Sequence, residues 1–422
     1  MGWAEKRGTT WRARWKAPDG SGYPGKSGFR TKELAEQYAA EQEVDIRRGD
    51  YYDPHAGDIT LRTWSDLWIE TISVAPDTEY AYRKRLNAWI LPRWGDLPLS
   101  RITSSAYLVW EKELHAAYAD NTVKNTLMLF RLILDDAVTH RPPLLRESPI
   151  PKPNRRRGRY VRPPKKDAVI GTPAQILELA QNAQTVWGPV GYVAILTKAY
   201  CGLRQGELYG LRREWCYPYW PWSDPGWPDN PDGKQAEKKR QRVVRERYAS
   251  MPALRVQWQH QYVTPSGGGK RVPRLMPPKY GSVRNLVLPP FLAGLLAEVL
   301  EEHDSEWVFP AVGGGPLMLS DFSTYYWKPI LHGAAERTGR FARPKIATVE
   351  GLEEMVPHGL RHGMKVWLDE EGQHSRVAIE ERMGHRLQGV EGVYSQVTPR
   401  MELRLAESLQ GMWELSQRQA GS

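Results

Sequence analysis

Six side chains stand out for the chemistry they could do together. They are Arg204 in Cys201-Gly-Leu-Arg-Gln-Gly-Glu207, Lys279 in Pro-Lys-Tyr, His358 and Arg361 in Pro-His-Gly-Leu-Arg, His385 in Met-Gly-His, and Tyr394 in Gly-Val-Tyr. Two arginines, a lysine and two histidines suffice to surround one phosphate, so the set calls for no metal and no cofactor. A tyrosine hydroxyl after them is a natural nucleophile for covalent phosphoryl transfer. Cleaving a phosphodiester builds negative charge on the non-bridging oxygens and on the departing oxygen. Preplaced cations and a proton donor are what that reaction needs.

Each residue needs an element to hold it. Arg204 follows the apolar run Val193–Leu196 inside a predicted buried helix over 192–200, and precedes Gly206 and Glu207. That context predicts an arginine at the start of a helix, with Glu207 as its orienting partner. Residues 208–215 should then pass into a strand. Lys279 follows Pro277-Pro278 and precedes Tyr280-Gly281, a turn leading into a second strand, Ser282–Leu288, with Val283, Leu286 and Leu288 at its apolar positions. A lysine serves as an acid only where neighbouring cations or lost water make it yield its proton. Lys270 competes for this role. His358 and Arg361 are three apart and share one helix face. His362 should face elsewhere, and Tyr325 and Tyr326 read as packing residues.

In this order and spacing the six residues resemble the catalytic set of the tyrosine recombinase (phage integrase) family. The resemblance implies that Arg204 and Arg361 grip the scissile phosphate and that Lys279 is the mobile hairpin lysine protonating the leaving 5′ oxygen. It also implies that His358 donates to a non-bridging oxygen or accepts the tyrosine proton, that His385 is the second histidine, and that Tyr394 is the nucleophile. His385 is nine residues before Tyr394, the family's spacing. Two departures are visible: Met383 stands where the family usually has leucine, and the link Arg386-Leu-Gln-Gly-Val-Glu-Gly replaces a Ser/Thr-rich segment.

At 422 residues the chain is too long for one compact domain. A balance of 59 Lys+Arg against 49 Asp+Glu gives a net charge of +10 and favours a polyanionic partner. Two cysteines, Cys201 and Cys216, exclude a disulfide framework or a multi-cysteine zinc site. Without an apolar leader or an apolar run of spanning length, the chain reads as cytosolic with no membrane partner. The 18 tryptophans should serve as core or interdomain wedges.

The predicted class is multidomain and mainly α with small sheets. Residues 1–57 read as an α+β module. There Trp11, Ala13 and Trp15 alternate with Arg12, Arg14 and Lys16, Pro18-Asp-Gly20 marks a turn, and Thr31 caps a helix burying Leu34, Ala35, Tyr38 and Ala39. Its basic strand face points to DNA; without that face a generic sheet–helix module would suffice. Residues 58–151 read as four helices over 62–73, 77–91, 103–118 and 121–139. Asp77, Thr103 and Asn121 are their caps, and Pro92 and Gly95 close the second. Val123, Leu127, Phe130, Leu134 and Val138 form a core stripe, with Lys124 off it. Residues 152–166 form a linker with Arg155, Arg156, Arg157, Arg159 and Lys165 and no acid, suited to tracking phosphates as an extended strap. Residues 167–422 form the largest domain, with a Trp-, Pro- and basic-rich insertion at about 217–275 that contacts DNA or another subunit or forms a loose loop. Met401, Leu405, Leu409 and Met412 predict a terminal amphipathic helix, docking at home or on a neighbouring subunit.

By resemblance the three domains are an arm-site DNA-binding module, a helical core-binding (SAM-like) domain and a mixed α/β catalytic domain. The implied function is site-specific recombination by the integrase of a phage or integrative element, through a 3′-phosphotyrosine. The implied partners are double-stranded DNA attachment sites, a synaptic tetramer of the chain, and DNA-bending or directionality proteins, in a bacterial cytoplasm at the nucleoid. A type IB topoisomerase shares the chemistry but needs no arm module. A DNA-binding protein that occupies such sites without cutting would not need the full catalytic set.

Overall fold

Alternating apolar and basic residues in the first 30 positions build a three-stranded antiparallel sheet of β1 (Trp3–Arg7), β2 (Thr10–Arg14) and β3 (Gly25–Phe29), in the order β1-β2-β3. The computed structural model describes the chain except residues 1, 19, 21, 50, 54, 152–166, 223–233, 264–268, 271, 340, 341, 386–395, 421 and 422, and gives only the backbone of 234–238, 240 and 241. Tyr394 and the strap residues Arg155, Arg156, Arg157, Arg159 and Lys165 therefore lie outside the described residues, as does Asp19 of the expected turn. Two compact units are present, Met1–Arg162 and Pro163–Ser422.

In the first unit, α1 (Lys32–Arg48) packs on the sheet and is capped by the Thr31 side chain, which accepts from the Leu34 amide. Trp15, Ala13, Ala35 and Ala39 form the small core. Leu34 is exposed rather than buried, because it lies in the first turn beside the cap and off the Ala35–Ala39 stripe. A separate helical core follows in α2 (Leu61–Thr71), α3 (Pro76–Arg85), α4 (Leu91–Trp94), α5 (Ser104–Ala117) and α6 (Asp120–Thr139). A π turn over Leu86–Ile90 fuses α3 to α4, so Pro92 lies inside the long helical run and Gly95 ends it. Thr103 caps α5 as expected. Asp77 and Asn121 do not cap: Pro76 starts α3 behind Ala75, and α6 starts at Asp120 behind Ala119, leaving both residues inside the first turn. Trp64, Trp68, Trp94, Trp110 and Phe130 fill this core.

The second unit is built on α7 (Pro173–Trp187) and α8 (Pro189–Cys201). A capping box of Thr172 and Gln175 starts α7, and Pro189 starts α8, whose residues from Val193 to Cys201 are all buried. Next come α9 (Gln205–Tyr209), α10 (Lys234–Tyr248), β4 (Ala253–Val256), β5 (Gln259–Val263), β6 (Val272–Met276) and β7 (Arg284–Val287). The remaining helices are α11 (Pro290–Glu301), α12 (Leu319–Asp321), α13 (Lys328–His332), α14 (Gly359–Glu371), α15 (Arg376–Met383) and α16 (Pro399–Ala420).

The second unit departs from the expected pattern in several places. Residues 208–215 form no strand: α9 runs to Tyr209 and Arg213–Trp215 make a short 3-10 turn. The partner of β7 is instead β4, late in the 217–275 segment, so β5 and β6 form their own antiparallel ribbon. The described part of that segment is not a loose loop. Trp215, Trp220, Tyr248, Met251, Ala253, Val287 and Ala406 pack into one apolar cluster, and Tyr248 Oη donates to the buried Glu402 carboxylate at 3.0 Å. Val283 is exposed, since β7 begins only at Arg284 after a turn in which Tyr280 adopts φ 62°. Tyr326 is a packing residue, but Tyr325 is 70% exposed. The terminal helix docks at home, with Leu405 and Leu409 in the core of its own unit and Trp413 stacked on Phe291 at 4.3 Å.

Candidate active site

Glu207 organises the site. It is the third residue of α9, fully buried, and its carboxylate accepts from the Arg204 amide at 2.9 Å and from Arg204 Nη1 at 2.7 Å. Arg284, pointing inward from β7, adds two contacts at 3.1 and 2.9 Å, and Arg361 Nη1 stands 4.0 Å away. Burial alone would raise this carboxyl, but Arg284 and Arg204 outweigh it and hold Glu207 down at about 2. One carboxylate thus balances three guanidinium groups, and the surplus positive charge is what a phosphate diester would neutralise.

The two expected arginines converge from different elements. Arg204 Nη1 reaches Ser282 Oγ at 3.1 Å and Nη2 reaches the Gly384 carbonyl at 2.8 Å. Arg361, in the first turn of α14 and 1% exposed, donates to the carbonyls of Gly202 and Met383, and its Nη2 lies 2.9 Å from His385 Nε2. Gly202 and Gly384 permit this closeness. Both have left-handed backbone, at φ 62° and 65°, and a Cβ on Gly384 would lie 2.7 Å from Arg284 Nη1.

His358 precedes α14, and His362 does not turn away as expected: the two rings meet edge-on at 4.6 Å. Although one side of the His358 ring is open to solvent, lost water on the other side, then His362, Lys198, Arg361 and Arg204, depress its imidazole to about 4. At neutral pH it is an uncharged base among cations. His385 follows α15 and is 42% exposed, with Nδ1 2.6 Å from Glu380 Oε2.

Lys279 is exposed in the turn before β7, three residues from the Ser282 that Arg204 holds. Gln259 Nε2 donates to the Pro277 carbonyl at 2.7 Å, where β5 also packs under α9. Lys270 lies beyond the opposite end of the β5–β6 ribbon, past the Val263–Val272 pair. Four register steps separate that end from Gln259, roughly 14 Å at ~3.4 Å per residue. The structure brings Arg204, His358, Arg361 and His385 together, with Lys279 tethered to them through Ser282. Among the DNA-contact candidates, Arg14 is not free on a basic face, for it pairs with Glu5 at 3.2 Å and donates to the Tyr23 carbonyl. Arg12 is half-buried, while Lys16 and Lys124 are exposed.

Three further members were not singled out in the sequence. Arg284 breaks the apolar alternation of its strand, Glu380 lies five residues before His385, and Lys198 is a lysine in a helix apolar all round. The Lys198 side chain is fully buried and Nζ donates to the Leu203 carbonyl at 2.9 Å, just before Arg204. Burial, then Arg361, lowers it from 10.5 to about 7. Between those values the unfolded chain holds this proton and the folded chain does not, so stability should rise with pH across that window. Lys198→Met is therefore expected to be at least as stable at pH 7. Its stability should climb less steeply between pH 7 and 10, by up to about 1.4 kcal/mol per pH unit. Urea midpoints at three pH values measure this, and parallel curves for both proteins would contradict it.

No protein-family model matches the sequence, and none of the curated proteins matches it. The fold does have counterparts among solved structures. The Tn1549 transposon integrase in complex with transposon right-end DNA superimposes with a TM-score of 0.53 at 15% identity, covering 83% of this chain and 99% of that one. The same integrase with a circular intermediate DNA gives 0.53 at 16% identity, over 83% and 99%. A lambda integrase tetramer bound to a Holliday junction aligns with a TM-score of 0.49 at 14% identity, over 94% and 98%. This chain has the Tn1549 integrase fold, mostly helical with small sheets.

Proposed function

We propose that this protein is a site-specific DNA recombinase of the tyrosine type, the integrase of a phage or integrative element. The observation that carries the reading is the Glu207-centred cluster, in which a single buried carboxylate holds Arg204 and Arg284 with Arg361 beside it. Surplus cations at the opening favour an anionic diester, and the neutral His358 beside them suits proton acceptance. The fold shared with a DNA-bound transposon integrase agrees with it.

In this mechanism Tyr394 Oη attacks the scissile phosphorus and passes its proton to His358. Arg204, Arg361 and His385 stabilise the non-bridging oxygens. The bond from phosphorus to the 5′ oxygen breaks, and Lys279 supplies the proton that makes a 5′ hydroxyl. The 3′-phosphotyrosine conserves the ester energy, and the hydroxyl of a partner duplex reverses the step through a Holliday junction. A tetramer of this chain would hold the two duplexes. The basic segment 152–166, with Lys16 and Lys124, would contribute phosphate contacts.

The test uses duplexes carrying the DNA that flanks the gene, nicked beside the cleavage position and incubated with the full chain. A protein–DNA adduct on the 3′ phosphate, with a free 5′ hydroxyl, is expected. Specific binding with no adduct would identify a non-cutting site-binding protein. Relaxation of supercoiled DNA of any sequence without strand exchange would identify a topoisomerase.

A further inference from the structure

His385 is held from two sides. Its Nε2 is 2.9 Å from Arg361 Nη2 and its Nδ1 is 2.6 Å from Glu380 Oε2. A guanidinium only donates, so Nε2 presents its lone pair and the ring proton sits on Nδ1, where the Glu380 carboxylate accepts it. Glu380 is itself held: Lys365 Nζ donates to Oε1, and the His385 amide donates to the Glu380 carbonyl at 2.9 Å. Burial would raise the Glu380 carboxyl, but Lys365 and His385 outweigh it and hold it below the usual carboxylate range. The result is a continuous chain, Lys365–Glu380–His385–Arg361, ending at the cationic cluster.

This arrangement has a chemical consequence. In the free protein His385 cannot donate from Nε2, because Arg361 occupies that lone pair. A lone pair on Nε2 aimed at Nη2 therefore fixes the guanidinium that must meet a phosphate oxygen. Resting on the recombinase reading, we propose that Glu380 is a positioning residue: it fixes the His385 tautomer and ring orientation, and through Nε2 the Arg361 guanidinium that grips the scissile phosphate. The charged groups facing the ring and its backbone are Glu380 from α15, Arg361 and Lys365 from α14 with Asp369 behind Lys365, and Arg204 and Arg284 beside Gly384. Glu380 is the single carboxylate in direct contact with the ring among the described residues.

Two measurements test this. The imidazole 15N shifts of His385 in the free full chain should report a proton on Nδ1 and none on Nε2; the reverse tautomer overturns the proposal without any DNA present. With nicked duplex carrying the flanking junction, Glu380→Gln should slow covalent adduct formation about tenfold or more. DNA affinity should be unchanged. In a His385→Trp background, whose ring nitrogen only donates and so cannot accept from Arg361, the same substitution should cost nothing further. Equal slowing in both backgrounds would show that Glu380 acts through the fold and overturn its role. No adduct from the wild-type chain would instead reject the recombinase reading, while the 15N result would still decide the Glu380–His385 contact.

Discussion

Glu207→Gln is expected to destabilise the second unit by about 3–5 kcal/mol, the cost of breaking a buried ion pair and leaving its partners uncompensated. The substitution keeps shape and removes only charge. Arg284 is 4% exposed and Arg361 1%, so neither guanidinium can turn to water once the carboxylate is gone. The pH dependence gives a second check. With its ordinary value near 4.5 and its folded value at about 2, Glu207 contributes stability above 4.5 that is lost as pH falls towards 2. The Gln variant should therefore be weaker at neutral pH and less acid-sensitive in that window. Urea unfolding should show a lower midpoint at unchanged slope. A loss below about 1 kcal/mol would mean that the three arginines do not depend on this carboxylate.

Lys279→Ala should slow cleavage of ordinary DNA by about 10²–10⁴-fold, the range for removing a general acid. Its effect should nearly vanish when the 5′-bridging oxygen is replaced by sulfur, because a thiolate leaves without a proton. Arg204→Ala should lose about 10²–10³-fold on both substrates, since its work is on the non-bridging oxygens. The tether from Arg204 through Ser282 to the turn at Lys279 motivates this assignment. If Lys270→Ala shows the sulfur rescue and Lys279→Ala does not, the ribbon must fold over far enough to deliver its remote tip, and Lys270 is the acid.

Residues with strong local signals were legible in the sequence. Arg204 beside Glu207 announced a helix start with its own counter-ion, and the i, i+3 spacing of His358 and Arg361 announced one helix start, with His358 at its N-cap and Arg361 in its first turn. Helix caps were legible at Thr31 and Thr103, whose hydroxyls accept from the first turn, and not at Asp77, where Pro76 starts the helix, or at Asn121, where the helix already begins at Asp120. The pairing of β7 with β4 was hidden because about thirty residues separate β4 from β7, and no local pattern says which of two strands pairs across that gap. Arg284, Lys198 and Glu380 were missed for a common reason. Each is polar within an apolar or helical pattern, and its partner is supplied only by the tertiary fold.

Tyr394 is proposed to carry the DNA as a 3′-phosphotyrosine. The full chain, trapped on nicked duplex from the flanking DNA and digested with protease and nuclease, should yield one peptide with a nucleotide mass on Tyr394. Tyr394→Phe should bind the same duplex with unchanged affinity and form no adduct, because only the hydroxyl is removed. An adduct on another residue, or one formed by the Phe variant, would show that Tyr394 is not the nucleophile.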